Sequence, residues 1–205
     1  LLYEAPVAAS LLGHFVGAVS GSSLYRKSSF LLDQLGKPVF SPDIRIDDIP
    51  DIPRGLASSA FDDEGVKTQR RAIVEQGVLQ GYFLGCYSAR KLGLRTTGSA
   101  GGNHNLVLES RGPDFRGMLR ALGRGLLVTE LLGHGVNLVT GDYSRGAAGY
   151  WIEGGEIAHA VEEITIAGNL KDMFLGIAAV GSDTLVRGSR TTGSILVQNM
   201  TIAGE

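Results

Sequence analysis

The chain has 205 residues, 30 of them glycine and 6 proline, with 43% hydrophobic residues and 19 basic against 21 acidic side chains, a formal net charge of -2. Glycine at roughly twice its usual ~7%, without a Gly-X-Y period, excludes collagen, and the hydrophobic fraction excludes a disordered low-complexity chain; what remains is one turn-rich folded domain. The charge balance lacks the basic excess of a nucleic-acid binder, no apolar run approaches the ~20 residues of a membrane-spanning helix, and the lone cysteine, Cys86, excludes an internal disulfide and fits a reducing compartment.

The start, Leu1-Leu2-Tyr3-Glu4, has neither an initiator methionine nor the basic region of a signal peptide, so a processed product or a fragment is expected. From Pro6 to Ser20, Val7, Leu11, Leu12, Phe15, Val16 and Val19 recur at helical spacing, with Pro6 in a first-turn position. Leu24 to Leu35 repeats the spacing before Gly36 and Pro38, which predicts a helical hairpin at the start. Val39 to Pro53 reads as an extended acidic connection, with Ile44-Arg45-Ile46 as a short edge strand. Lys67 to Glu75 and Val78 to Leu84, joined by Gln76-Gly77, form a predicted β-hairpin.

Ser88 to Leu92 is a short helix candidate, Thr96 to Gly102 a glycine-threonine loop without regular structure, and Met118 to Leu122 another short helix. Leu126 to Leu132, Val136 to Thr140, Gly149 to Glu153 and Glu156 to Val161 read as strands, the last two joined by Gly154-Gly155. Lys171 to Ile177 is predicted helical with Asn169 as N-cap, and Ser194 to Ile202 a final strand. The class is α+β, with an antiparallel or mixed sheet. Two peptides recur, Arg95-Thr96-Thr97-Gly98-Ser99 as residues 190–194 and Thr165-Ile166-Ala167-Gly168 as residues 201–204; their unequal separations argue for repeated turn chemistry rather than a structural repeat.

Candidates for chemistry are sparse. None of His14, His104, His134 and His159 lies in H-E-x-x-H or pairs with another at i,i+4. His14, beside Gly13 and Gly17, reads as a helix histidine, and the two glycines as a site of close helix packing. His134, between Gly133 and Gly135, is either a turn residue or the lining of a cleft, and His104 and His159 carry no local signal beyond exposure in a loop and a strand. Cys86 reads as a small buried apolar residue rather than a nucleophile. Neither a Gly-x-Ser-x-Gly elbow nor a Walker-type loop occurs. Tyrosine followed closely by arginine occurs three times, as Tyr25-Arg26, Tyr87 with Arg90, and Tyr143 with Arg145, and reads equally as interface chemistry or as ordinary surface pairs.

Longer runs carry a resemblance. Residues 13–28 (Gly-His-Phe-Val-Gly-Ala-Val-Ser-Gly onward), Tyr87 to Leu94, Thr140 to Gly149 and Glu163 to Met173 closely resemble the TldE/PmbA proteins of the TldD/PmbA metallopeptidase family. The match spans essentially the whole chain and only the C-terminal part of such proteins, which implies a single C-terminal domain over residues 1–205 without the family's N-terminal α/β domain. The resemblance implies a cytoplasmic, dimeric complex with a TldD-like subunit that cleaves unfolded peptides, including microcin precursors and antitoxins, and it carries the name modulator of DNA gyrase.

In TldD-type subunits a helix bears H-E-x-x-x-H, and a later cysteine completes the zinc site. Here Gly13, His14 and Ala18 stand at those positions and no cysteine follows Cys86, which implies no metal in this chain, zinc in the partner, and a pseudo-enzyme role. Peptide or partner cleft candidates are His14, Tyr25, Arg26, Arg90, His134, Asp142, Tyr143 and Arg145, with the loops Thr96 to Asn103 and Gly141 to Gly149. The alternatives are a stand-alone homo-oligomeric binding module, or an active metallopeptidase using a site such as His14 with His134. Direct contact with nucleic acid or membrane is not expected.

Overall fold

The computed structural model describes residues 1–204, which form five helices and thirteen strands. In chain order they are β1 (Leu2–Tyr3), α1 (Ala5–Ala18), α2 (Gly21–Tyr25), β2 (Ile46–Ile49), β3 (Arg71–Glu75), β4 (Val78–Leu79), α3 (Cys86–Leu92), β5 (Asn105–Leu108), α4 (Phe115–Leu122), β6 (Gly125–Leu132), β7 (Asp142–Glu153), β8 (Glu156–Asn169), α5 (Leu170–Leu175), β9 (Ile177–Val180), β10 (Leu185–Arg187), β11 (Arg190–Thr192), β12 (Ile195–Val197) and β13 (Thr201–Ala203). The strands make two mixed sheets, one ordered β13-β8-β7-β6-β1-β12-β9 and the other β10-β11-β5-β2-β3-β4. The α+β class is as expected.

Strand alternation divides the apolar residues between two faces of the larger sheet. Tyr3, Leu126, Val128, Ile195 and Val197 point into a core shared with α1, through Val7, Leu11, Leu12 and Phe15, and with Ile46, Ile73, Leu79 and Leu106 of the smaller sheet. The intervening Leu2, Leu127 and Leu196 face the other way and pack under Met118 and Leu119 of α4. Each of these side chains stabilises the fold by about 1.5–3 kcal/mol on burial. α1 is therefore clamped between the sheets. Asp114 caps α4 by accepting from Gly117 N–H at 2.8 Å, and Asn169 caps α5 by accepting from Lys171 N–H at 3.1 Å.

Both hairpin turns read from the sequence have the two positive-φ residues that a twisted two-residue turn needs: Gln76 and Gly77 at 50° and 75°, Gly154 and Gly155 at 60° and 81°. The strands beside them differ from expectation: β4 is only two residues, whereas β7 and β8 run twelve and fourteen.

Other expectations need correction. The helix expected over Leu24 to Leu35 stops after Tyr25; Lys27 and Asp33 take positive φ, the Ser29 hydroxyl donates to Ala18 O at 2.6 Å, and Phe30 N–H donates to Leu138 O at 2.8 Å. Short serines offering the backbone other partners defeat the helical spacing. The edge strand expected at Ile44-Arg45-Ile46 shares only Ile46 with the observed strand: β2 runs on to Ile49 and is hydrogen-bonded on both sides, by β3 and β5. Val136 to Thr140 is a turn, because the Asn137 side-chain carbonyl accepts from Val139 N–H at 2.9 Å and Thr140 N–H at 3.4 Å. Ser194 to Ile202 splits into β12 and β13, with Asn199 at positive φ between them.

The Thr-Ile-Ala-Gly echo is not turn chemistry: its two copies pair with each other, Thr201, Ile202 and Ala203 opposite Ala167, Ile166 and Thr165. Of the Arg-Thr-Thr-Gly-Ser copies, the first lies in a loop and the second begins as β11.

Candidate functional site

α1 presents Gly13 and His14 where it meets β7 and the β10–β11 hairpin, with Ala18 fully buried one turn beyond His14. The His14 ring meets Tyr143 of β7 edge-on, with centroids 6.0 Å apart and planes at 73°. Arg190 of β11 lies across Gly13, where an added Cβ would stand 3.0 Å from Nη1. Gly13 thus admits a guanidinium, while Gly17 admits a Leu138 methyl group that an added Cβ would meet at 3.0 Å; neither makes the close helix packing expected of them.

Three buried polar atoms at this junction have no hydrogen-bond partner among the described residues: His14 Nε2, the Tyr143 hydroxyl and Arg190 Nε. Unpaired buried polar groups are rare in native proteins and concentrate where strain or function requires them. Burial, with the Arg145 and Arg190 guanidiniums nearby, lowers the His14 pKa below its ordinary value, so the imidazole is neutral at pH 7. Burial raises the Tyr143 phenol and lowers Arg190.

Next to this junction is an open cleft of about 440 Å³, walled by Pro6, Val7, Ala9 and Ser10 of α1, Thr129 to Leu131 of β6, and Arg145, Arg187 and Arg190. The residues of β6 turn into it at an irregularity: the β6–β7 register shifts between Val128 and Glu130. Bulges of this kind re-aim side chains. Arg145 is braced by the carbonyls of Leu131 at 3.3 Å and Leu132 at 3.4 Å, and Arg187 donates to Pro6 O at 2.7 Å.

The structure gathers some of the candidate residues and separates others. His14, Tyr143 and Arg145 meet at the junction. Tyr25 and Arg26, at the end of α2, form a second cluster with α3, where Tyr25 packs edge-on against Tyr87 at 5.5 Å and the Arg26 guanidinium lies over Tyr25 at 5.5 Å; Arg90 is exposed on α3, outside these contacts. His134 is exposed in the turn after β6, and Asp142 is tied to Thr140 Oγ1 at 2.6 Å and Asn169 Nδ2 at 3.2 Å as a corner brace.

The expected loop Gly141 to Gly149 is mostly strand β7. The loop Thr96 to Asn103 is irregular but pinned: Thr97 Oγ1 accepts from Leu84 N–H at 2.8 Å, and Asp62 accepts from Ala100 N–H at 2.9 Å. His104 is buried, its Nδ1 3.1 Å from the fully buried Asp48, which Arg71 approaches at 3.7 Å; this network joins β2, β3 and the start of β5. Cys86 is only half-buried at the start of α3, and contact with Glu64 raises its thiol pKa. Arg187, Arg190 and Glu130 escaped the sequence reading, although Arg187-Gly188-Ser189-Arg190 carries a hairpin signal in its two central residues.

Residues 1–204 match the family described as the PmbA/TldA metallopeptidase C-terminal domain. The chain belongs to this family. It is 52% identical over 205 residues to Metalloprotease PmbA of Escherichia coli O157:H7, covering all of this chain and 46% of that protein, so it spans about half the length of this curated relative. Among solved structures, it superposes with a TM-score of 0.94 and 31% identity on one named as a modulator of DNA gyrase from Bacteroides thetaiotaomicron, covering 100% of this chain and 46% of the other. TldE from Thermococcus kodakarensis matches with a TM-score of 0.86 and 27% identity, over 99% and 49% of the two chains.

A metallopeptidase name implies a metal, and the residues of this junction do not fit one. Gly13 and Ala18 have no ligating side chain to offer, Arg145 and Arg190 place positive charge beside the single imidazole, and no group of three His, Cys, Asp or Glu side chains converges among the described residues.

Proposed function

We propose that this chain is the C-terminal domain of a subunit without its own catalytic zinc, which pairs with a zinc-bearing TldD-like subunit in a complex that cleaves unfolded peptides. The observation that carries the reading is the guanidinium of Arg190 lying across Gly13, which the family resemblance sets at the position of the first histidine of the metal-binding helix. A cation there repels a dication, and the neutral, singly available His14 cannot replace three ligands. Membership of a metallopeptidase family supports the peptide substrate class. The relatives whose names include TldE and modulator of DNA gyrase support the partner reading and the historical name; microcin precursors and antitoxins are the substrates that the family resemblance implies. A cytoplasmic location, a dimer and the family's N-terminal α/β domain ahead of this one complete the proposal.

The experiment measures cleavage of an unstructured peptide by the full chain carrying this domain, by a TldD-like protein, and by the two mixed, alongside metal analysis of each. The expected result is activity that needs both proteins, with zinc only in the TldD-like one. Cleavage by this subunit alone, with stoichiometric zinc that His14→Ala removes, refutes it.

A further inference from the structure

The cleft beside α1 contains three arginines and one acid, Glu130, and none of Arg145, Arg187 and Arg190 makes an ion pair among the described residues. Two of the three are set against each other by the fold. β10 and β11 are joined by Gly188-Ser189, with Gly188 at φ 62°, and their register puts Arg187 directly opposite Arg190. Side chains directly opposite in an antiparallel pair lie on the same face, and like charges so placed repel. Arg145 enters from β7 on the far wall.

The bracing of these side chains differs in a telling way. Arg145 and Arg187 spend N–H donors on backbone carbonyls that fix where their guanidiniums point. Each guanidinium has five N–H donors, so most remain free. The Arg190 side chain makes no hydrogen bond among the described residues, its Nε is buried and unpartnered, and it is held by packing against Gly13. A like-charged cross-strand pair with spare donors, in a partly desolvated cleft, is a poor stability device. It is a good anion receptor, because guanidinium forks match a planar carboxylate two bonds at a time.

We propose that this cleft binds a carboxylate group of a peptide, held by Arg145, Arg187 and Arg190. The α1 wall of Pro6, Val7 and Ala9 offers apolar contact to the residue bearing that carboxylate, and the volume falls in the ~300–1,000 Å³ range of small-ligand sites. The inference rests on the peptide-handling role above and deepens it: the subunit without metal anchors the peptide by its charge. A free C-terminus and an Asp or Glu side chain supply the same chemistry.

The test is calorimetric binding of three forms of one short peptide, otherwise free of acidic residues, to the full chain without a partner subunit: free C-terminal acid, C-terminal amide, and amide with one internal Glu. The free acid, the Glu peptide or both should bind about tenfold tighter than the plain amide, the loss expected when charge-assisted hydrogen bonds go unmade. Arg190→Gln removes the guanidinium that holds no carbonyl and should erase the preference with an unchanged melting temperature; Arg187→Gln is the second variant.

Equal binding of all three peptides, or binding of none, overturns the proposal, as does inorganic phosphate binding more tightly than either carboxylate peptide. Cleavage by the mixed subunits is read separately: if it needs both proteins while the binding preference is absent, the cleft assignment fails and the partner role stands. A binding preference without partner-dependent cleavage gives the reverse result.

Discussion

His14 illustrates how one side chain reports on its surroundings. Its folded pKa lies below the ordinary value because burial and two nearby guanidiniums disfavour the imidazolium. The unfolded chain takes up a proton near pH ~6.5, whereas the native one resists it until lower pH. Below ~6.5 the unfolded state therefore binds more protons, and stability falls as pH falls; above it the contribution is fully present. The urea midpoint of the protein should accordingly drop between about pH 7.5 and about pH 5.5, and His14→Gln should remove part of that slope. The part removed stays below ~1.4 kcal/mol per pH unit, the ceiling for one proton, because the ring is only half-buried. An unchanged slope in the variant would show that His14 is protonated alike in both states. The sequence exposed this residue because it sits in a helix between small neighbours. It concealed Arg190, whose approach to Gly13 depends on a strand pairing formed 177 positions later in the chain.

At the scale of elements, the legible features were those whose cause is local. Gln76-Gly77 and Gly154-Gly155 specify tight turns by backbone conformation alone, and the Asn169 cap acts within two residues. β5, β9, β10 and β11 are not legible as strands in the sequence, because segments of three or four residues show too little alternation and their partners are distant; β11 lies parallel to β5, more than eighty positions away. The irregularity joining β6 to β7 is equally hidden. There Gly149 faces Leu127 so closely that an added Cβ would stand 1.9 Å from the Leu127 carbonyl oxygen, a backbone atom with no freedom to retreat. Gly149→Ala should therefore cost about 1–3 kcal/mol in denaturant unfolding, as overpacking does when backbone must shift. Because the same irregularity turns Thr129 to Leu131 into the cleft, peptide binding should weaken as well. A variant as stable as the parent would mean that β6 and β7 can slide apart freely here.

For the molecule as a whole, the question is whether two sheets behave as one folding unit. Phe40 lies on the segment leading into β2 of the smaller sheet, Phe174 on α5 at the end of the larger sheet's β8, and Phe15 on α1 between them. Phe40 and Phe174 stack at 4.6 Å and 20°, and Phe15 meets them edge-on at 5.0 and 6.2 Å. The three rings bind both sheets to the helix that carries His14. Truncating Phe174 to alanine should cost about 3–5 kcal/mol, the range for emptying an aromatic site in a packed core. The loss should appear as one cooperative transition at lower denaturant. The single tryptophan, Trp151 of β7, reports on the larger sheet by fluorescence, and far-ultraviolet circular dichroism reports on both. Coincident transitions from the two probes mean that α1, the cleft and both sheets melt together, so the arginines lining the cleft are positioned by the global fold. Two separated transitions would mean that the smaller sheet, with β10 and β11, can detach, leaving Arg187 and Arg190 on a unit that moves relative to Arg145.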